Sequence, residues 1–418
     1  MRRRDFLGAT LLAGTGCASI ATHARAQVLV IGGGYGGATA AKYLQMWGAA
    51  RVDVTLIEAN ANFVSCPLSN LVLGGSRQMA DLTISYAGLA ARGIRVLHER
   101  ADAIDPARRT VRLSGGQVLA YDRLIISPGV DFMWDELPAM QDPGAQERLP
   151  HAWKAGAQTL ALRAQLEAMA DGGVFAITVP LTPFRCPPGP YERACQVAHY
   201  FKRAKPKSKV LILDANDDVA SKGALFKRAW AERYAGMVEY RPGFRTADID
   251  VATRTAISEF DDRVQAAVLN VIPPQRAGAI AVQAGLANAN KRWCEVDFLS
   301  FESTQAPHIH VLGDAIQTAP LMPKSGHMAN QHAKVCAAAV LDLLQGMAPN
   351  PTPMLTNACY SYVSDKAVIH IASVHAYDAV HKTLMVVPGS GGLSPAASEA
   401  EGQFAADWAR NIWADALS

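Results

Sequence analysis

Three glycines and three cysteines carry most of the chemistry that can be read in this sequence. Gly32, Gly34 and Gly37 stand at the spacing G-x-G-x-x-G within VLVIGGGYGGATAA, residues 28–41. Four apolar residues, Val28 to Ile31, read as a buried parallel strand, and small residues in a helical pattern follow. Each glycine answers a separate need. Gly32 allows a tight turn, Gly34 lets backbone approach a pyrophosphate, and Gly37 lets helix and strand pack closely. The helix N-terminus then offers free N–H groups and a positive dipole end to the phosphates. A second strand, Val52 to Ile57, ends at Glu58, 21 residues after Gly37, where a ribose-binding carboxylate is expected. The motif predicts a dinucleotide site and does not by itself separate FAD from NAD.

The cysteines divide by setting. Of seven in the chain, none belongs to C-x-x-C or C-x-x-C-H. That argues against a zinc ribbon and against haem attached to this chain, and no metal site is expected. Cys195, Cys294 and Cys336 sit in apolar surroundings and read as core residues. Cys66 lies between a serine and a proline in the loop Asn62–Asn70, and composition alone reads it as a partly buried structural thiol. Cys186 lies in a loop, residues 180–190, that contains five prolines. Five prolines remove five N–H donors and fix φ, the reverse of what a phosphate loop needs. Around it run a strand Gly173–Val179, a helix Tyr191–Ala204 and a strand Lys209–Asp214. This second unit has nucleotide-domain topology without a working phosphate loop, and it holds a cysteine there instead.

The elements that must position these residues follow from length and pattern. At 418 residues, half of them hydrophobic, the chain predicts two or three domains with sizeable cores. The net charge of +3 is too small to argue for nucleic acid. No apolar run within the mature part is long and uninterrupted enough to span a bilayer. Residues 1–26 read as a twin-arginine export signal, with Arg3-Arg4-Asp5-Phe6-Leu7 and a small-x-small site at Ala24-Arg25-Ala26, so a periplasmic location is expected. Cys17 leaves with that signal.

Strands are expected at Ile94–Leu97 and Thr110–Leu113, both in a small β excursion, at Tyr121–Gly129 where a strand runs into a tight turn, at Val264–Pro273, and at Ile309–Ala315 with Gly-Asp at its end, with a helix from about Met328 to Leu344. The fold class expected is α/β with two Rossmann-like units. A first unit comprises residues 27–140 and 275–346, a second 141–274, and a C-terminal α+β interface domain 347–418, with short strands and a final helix carrying Trp408 and Trp413.

Taken together the pattern is similar to the two-dinucleotide-domain flavoproteins related to glutathione reductase. Within them, FRCPPGPYERA at 184–194, IPPQRAG at 272–278, GDA at 313–315, LMPKSG at 321–326 and NACYS at 357–361 resemble the flavoprotein subunit of flavocytochrome c sulfide dehydrogenase. The resemblance runs from about residue 28 to the C-terminus. It implies FAD held by Gly32, Gly34, Gly37, Glu58 and Asp314, with Lys324, Ser325 and Gly326 bringing a helix N-terminus to the flavin. It implies covalent attachment of FAD through Cys66, overturning the structural reading of that thiol. It also implies a redox pair made by Cys186 and Cys359, with sulfide as substrate and a c-type cytochrome partner that carries the haem.

Arg185 and the helix start at Tyr191 are expected to favour a thiolate by their positive field. Glu192 is an acid/base candidate, or alternatively a helix N-terminal carboxylate held by the dipole. Three rival readings stand beside this one: an NADH-dependent disulfide reductase, a sulfide:quinone oxidoreductase, and a redox reactivator of a sulfur-carrier protein.

Overall fold

The computed structural model describes residues 25–418. The twin-arginine segment and Cys17 lie outside them. The first strand begins at Ala26, paired in register with Val52, and Arg25 forms an ion pair with Asp53. Arg25 and Ala26, the last two residues of the segment assigned to the export signal, thus belong to the described fold.

The first unit is built on a five-stranded parallel sheet. Its order is Ile309–Val311, Arg123–Ile126, Ala26–Ile31, Val52–Ile57 and Arg95–Leu97. Val28 to Ile31 are all buried because a parallel sheet is covered on both faces. Helices Tyr35–Gly48 and Gly326–Leu344 pack against each other over this sheet. The Arg95–Leu97 strand was expected in the β excursion. It instead closes the edge of the main sheet beside Thr55–Ile57, and only residues 101–120 form the small antiparallel meander.

The second unit is a four-stranded parallel sheet ordered Val238–Arg241, Lys209–Asp214, Val174–Val179, Val268–Val271. The single strand expected at Val264–Pro273 is two strands. Arg263–Gln265 completes an antiparallel three-stranded sheet, and Val268–Val271 then joins the parallel one. The chain steps between sheets at Ala266-Ala267. The two crossings between units are zipped together, Val130–Phe132 pairing antiparallel with Gln275–Ala277.

The C-terminal domain is an antiparallel sheet, Met354–Tyr362, Val368–Asp378 and Thr383–Val386, covered by helix Glu399–Leu417. Its last turns dock on the first unit. Lys42 donates to the Ala414 carbonyl at 2.9 Å, and Tyr43 donates to Asp415 at 2.6 Å. No helix among the described residues is long and apolar enough to cross a membrane.

Candidate active site

All three domains meet at one cleft of about 470 Å³. Gly34, Glu58, Cys66 and Asp314 line it from the first unit, Cys186 and Glu192 from the second, and Cys359 from the C-terminal sheet.

The first wall is the glycine loop. Gly32 adopts φ +94°, and a Cβ there would strike the Ser127 carbonyl oxygen. A Cβ on Gly37 would run into the Gly32 carbonyl oxygen, so strand and helix can approach only without side chains. Gly34 has open space where its Cβ would stand. It caps helix Tyr35–Gly48 with no side chain on the free N–H groups and no acid in the first turn. Glu58 stands at the end of the second strand. One of its oxygens accepts from the Gly33 N–H at 2.6 Å, and the other from Asn60 N–H at 2.8 Å. A carboxylate has further lone pairs for a ribose hydroxyl.

Asp314 is the opposite wall. Burial raises the pKa of its carboxyl, and its Oδ1 is buried without a hydrogen-bond partner. A flavin dinucleotide fits this cradle on three counts: an open glycine before bare helix N–H groups for a pyrophosphate, a strand-end carboxylate for a ribose, and an orphaned acceptor for a ribityl hydroxyl.

Ser325 caps helix Gly326–Leu344, its Oγ accepting from Met328 N–H at 3.1 Å, which starts the helix two residues before the expected Met328. Ser325, Gly326 and His327 line the cleft, but Lys324 does not. Its ammonium turns away, donating to the Asp314 and Ile316 carbonyls at 2.9 and 2.6 Å and lying 3.6 Å from the Trp293 ring centre. Burial pushes it down to about 7. What Lys324 offers the site is its backbone carbonyl, which accepts from the Cys186 N–H at 2.8 Å.

The sulfur wall combines Cys186, Cys359 and Glu192. All six cysteines of the described residues are free thiols. Cys195, Cys294 and Cys336 are fully buried in the cores, whereas Cys66, Cys186 and Cys359 are half-buried at the cleft. Cys186 has φ +57°, a left-handed conformation costly for a residue with a side chain. Arg185 favours the Cys186 thiolate in direction, as expected, but its field is outweighed. Burial pushes the Cys186 thiol up, Cys359 and Glu192 push the same way, and Arg185 and Lys222 offset only part. Arg185 is occupied elsewhere, since its guanidinium donates to the Trp153 carbonyl. Glu192 is buried, accepting from Asn70 Nδ2 at 2.9 Å and from Tyr362 N–H at 2.8 Å, and burial raises its pKa. It stands in the first turn of its helix, and its carboxyl group is held by groups from the first unit and the C-terminal sheet.

Three residues of the site were not anticipated. Arg193 is 2% exposed and donates to four neutral oxygens, those of Asn70, His151, Asn270 and Ala152. Its guanidinium lies 5.0 Å from the Trp153 ring centre. The signal for it was a charge one helical turn before the apolar face residue Val197. Asn70 bridges Glu192 and Arg193, and Lys222 reaches Cys359 from the start of helix Gly223–Arg233. No pattern in the sequence marks either.

The fold and this cleft define a flavoprotein of the pyridine nucleotide-disulphide oxidoreductase class, and residues 26–168 match that description. Residues 159–273 match the central part of the sulfide dehydrogenase [flavocytochrome c] flavoprotein chain, and residues 351–417 match the flavocytochrome c sulphide dehydrogenase flavin-binding domain. The sulfide dehydrogenase [flavocytochrome c] flavoprotein chain of Chlorobaculum thiosulfatiphilum is 50% identical over 46 residues, 11% of this chain and 94% of that sequence. The chain belongs to the family of these flavoprotein chains.

A mitochondrial sulfide:quinone oxidoreductase of Dictyostelium discoideum is 21% identical over 302 residues, 69% of this chain. The match spans 65% of that relative's own length, just under two thirds. The crystal structure of the sulfide:quinone oxidoreductase from Aquifex aeolicus has the same fold, with a TM-score of 0.76 at 19% identity, over 94% of this chain and 92% of that one.

Proposed function

We propose that this chain is the flavoprotein of a periplasmic sulfide dehydrogenase, exported by the twin-arginine route. It holds FAD covalently through Cys66, oxidises sulfide at a Cys186/Cys359 redox pair to sulfur or polysulfide, and delivers electrons to the haem of a c-type cytochrome partner. The observation that carries this reading is the convergence of three half-buried cysteines and a buried carboxylic acid on the cleft that the glycine loop opens into.

Hydrosulfide opens the oxidised pair by thiol–disulfide exchange. Its sulfur bonds to one Sγ, the Cys186–Cys359 bond breaks, and the other cysteine leaves as thiolate. Glu192, with its pKa raised by burial, holds or returns the proton between the two sulfurs. Arg193 and Lys222 supply the positive field of the sulfur wall. The glycine loop, Glu58 and Asp314 orient the cofactor, and Trp153 and Phe63 exclude water from the cleft. Bound FAD would contribute the ability to take two electrons together and give them up singly.

Anaerobic addition of sulfide to the purified holoprotein tests the proposal. Sulfide should bleach the flavin, and added cytochrome c should recover it. An unchanged flavin spectrum overturns the reading. Denatured wild-type protein should stay yellow and Cys66→Ala should release FAD, so free FAD from the wild type removes the covalent link. Bleaching by NADH would instead favour a disulfide reductase. A second acceptor, a quinone, is favoured by one feature. A hollow beside the cleft is walled by His327, Tyr360 and Trp408, with Phe404 57% exposed at its rim. Faster recovery with a soluble quinone than with cytochrome c would select it. Turnover only in the presence of a sulfur-carrier protein would select the reactivator.

A further inference from the structure

Lys222 sits at the start of helix Gly223–Arg233 with φ +58°, and its side chain is almost fully buried. It reaches out of the second unit to the C-terminal strand Met354–Tyr362. There its ammonium donates to the Cys359 carbonyl at 2.9 Å and to Ser361 Oγ at 2.8 Å, and lies 3.9 Å from Cys359 Sγ. All three contacts are to neutral groups. A buried cation resting on neutral atoms lacks the counter-charge that normally offsets its lost hydration. The carboxylate that acts on it, Glu192, is engaged by Asn70 and Tyr362, and burial favours its neutral form. Of the groups Lys222 touches, the one that can become an anion is the Cys359 sulfur.

We propose that Lys222 is a positioning residue, the counter-ion of Cys359, and that in the reduced pair the negative charge rests on Cys359 and not on Cys186. This rests on the reading of the two cysteines as a redox pair. Ionisation is a proton loss alone: the S–H bond of Cys359 breaks, its electron pair stays on Sγ, and the proton passes to Glu192 or to water.

The two thiols differ in their surroundings. Both are raised by burial. At Cys359 the strongest charge is Lys222, which favours the thiolate, with Glu192 opposing it. At Cys186 the strongest charges are Cys359 and Glu192, both opposing, while Arg185 and Lys222 come after them. From the first unit, His327 faces the same strand. Its Nδ1 accepts the Ala358 N–H at 2.9 Å, and burial keeps the ring neutral.

Alkylation of the holoprotein measures the charge directly and uses no sulfide. The pair is reduced with a phosphine, treated with iodoacetamide from acid to alkaline pH, and mapped by peptide mass. Cys359 should be labelled at lower pH than Cys186. Lys222→Gln keeps hydrogen-bond donors and loses the charge. It should move the Cys359 midpoint up by about 1 to 3 pH units, the usual effect of a neighbouring opposite charge, and Lys222→Arg should restore it.

A merely structural lysine predicts a Gln profile that overlays the wild type, and that result overturns the proposal. So does labelling of Cys186 first in the wild type, which decides the matter even where the Gln variant fails to fold. A chain that shows the expected labelling but is not bleached by sulfide would sink the sulfide reading and leave the Lys222–Cys359 pair standing.

Discussion

The two α/β units solve the same topological problem in opposite ways. Each runs strand, loop, helix, strand, and each second strand ends in an acid, Glu58 in one and Asp214 in the other. In the first unit the loop is glycine, the helix end is bare and Gly34 faces open space. In the second, the helix start Gly189-Pro190-Tyr191 is buried. A Cβ on Gly189 would meet the Trp153 ring at 2.7 Å and Cys186 Sγ at 3.1 Å.

The acids diverge equally. Glu58 lines the cleft. Asp214 is fully buried and sealed by its own domain, accepting from Tyr191 Oη at 2.6 Å, Tyr240 Oη at 3.1 Å and Asn216. A nucleotide ribose has no acceptor left there. The same scaffold therefore offers N–H donors where the loop is glycine and a thiol where it is proline. One unit is a cofactor cradle and the other has become a wall of the site.

Variants that exchange these roles test the contrast. The largest effect is expected at the loop thiol. Cys186→Ser should cut sulfide-driven flavin reduction by on the order of 10⁴-fold or more, the scale of losing one indispensable member of a catalytic unit, while flavin content stays at the wild-type level. Wild-type reduction rates in stopped flow would break the comparison. Glu192→Gln, which can still accept one of its two hydrogen bonds, should slow the same step by about 10²- to 10⁴-fold. It should also remove the limb of the pH–rate profile that reports an acid of raised pKa, and an unchanged profile would return Glu192 to a helix-end role.

Gly37→Ala should lower stability by about 1 to 3 kcal/mol through overpacking and reduce flavin content. The matching Gly189→Ala presses on a ring edge and a thiol that can yield, so its flavin content should be unchanged. Equal flavin loss in both would erase the asymmetry.

The smallest effect is acid sensitivity. Burial pushes His332 and His310 of the first unit down to about 3 and about 4, and His151 of the second down to about 3. Each is neutral when folded and binds a proton on unfolding. The stability it contributes is therefore complete above the ordinary value of 6.5 and lost as pH falls toward the folded values. The slope is about 1.4 kcal/mol per pH unit for each histidine. The first unit carries two of the three, so flavin release should precede loss of the second unit's aromatic near-UV signal on acidification. Simultaneous loss would count against it.

The first unit was legible because its signals are local. Apolar runs, glycine spacing and a strand-end acid all lie within residues 28–58, and the structure reproduces the strands and the turn. The second unit was legible as topology, since its loop could be judged unfit for phosphate from the prolines alone. What stayed hidden depends on contacts between distant segments. Asp214 is closed off by Tyr191 and Tyr240, and Lys222 acquires meaning only when residue 359 arrives beside it. The field of Arg185 acts on Cys186 in the expected direction but is outweighed for the same reason. Charge neighbours can be guessed from sequence, but burial cannot, and burial is the larger influence here. Lys324 was assigned by its place in a motif, while its side chain follows the nearest free carbonyls.

The parallel sheet of the first unit has a consequence in time. Its strands come from both ends of a long span, residues 26–31 and 309–311, whereas the second unit's sheet is contained within 174–271. A chain made from its N-terminus can complete the later-numbered unit first, and domains generally fold as units during synthesis. The cradle must wait for the Ile309–Val311 strand, and such distant pairings form slowly. A nascent chain halted at residue 300 would present a folded second unit with Cys186 in its loop, but neither a floor for the dinucleotide nor the strand that carries Cys359. FAD would then be a late arrival, captured by a chain about three-quarters made, with Cys186 already in place and Cys359 still to come.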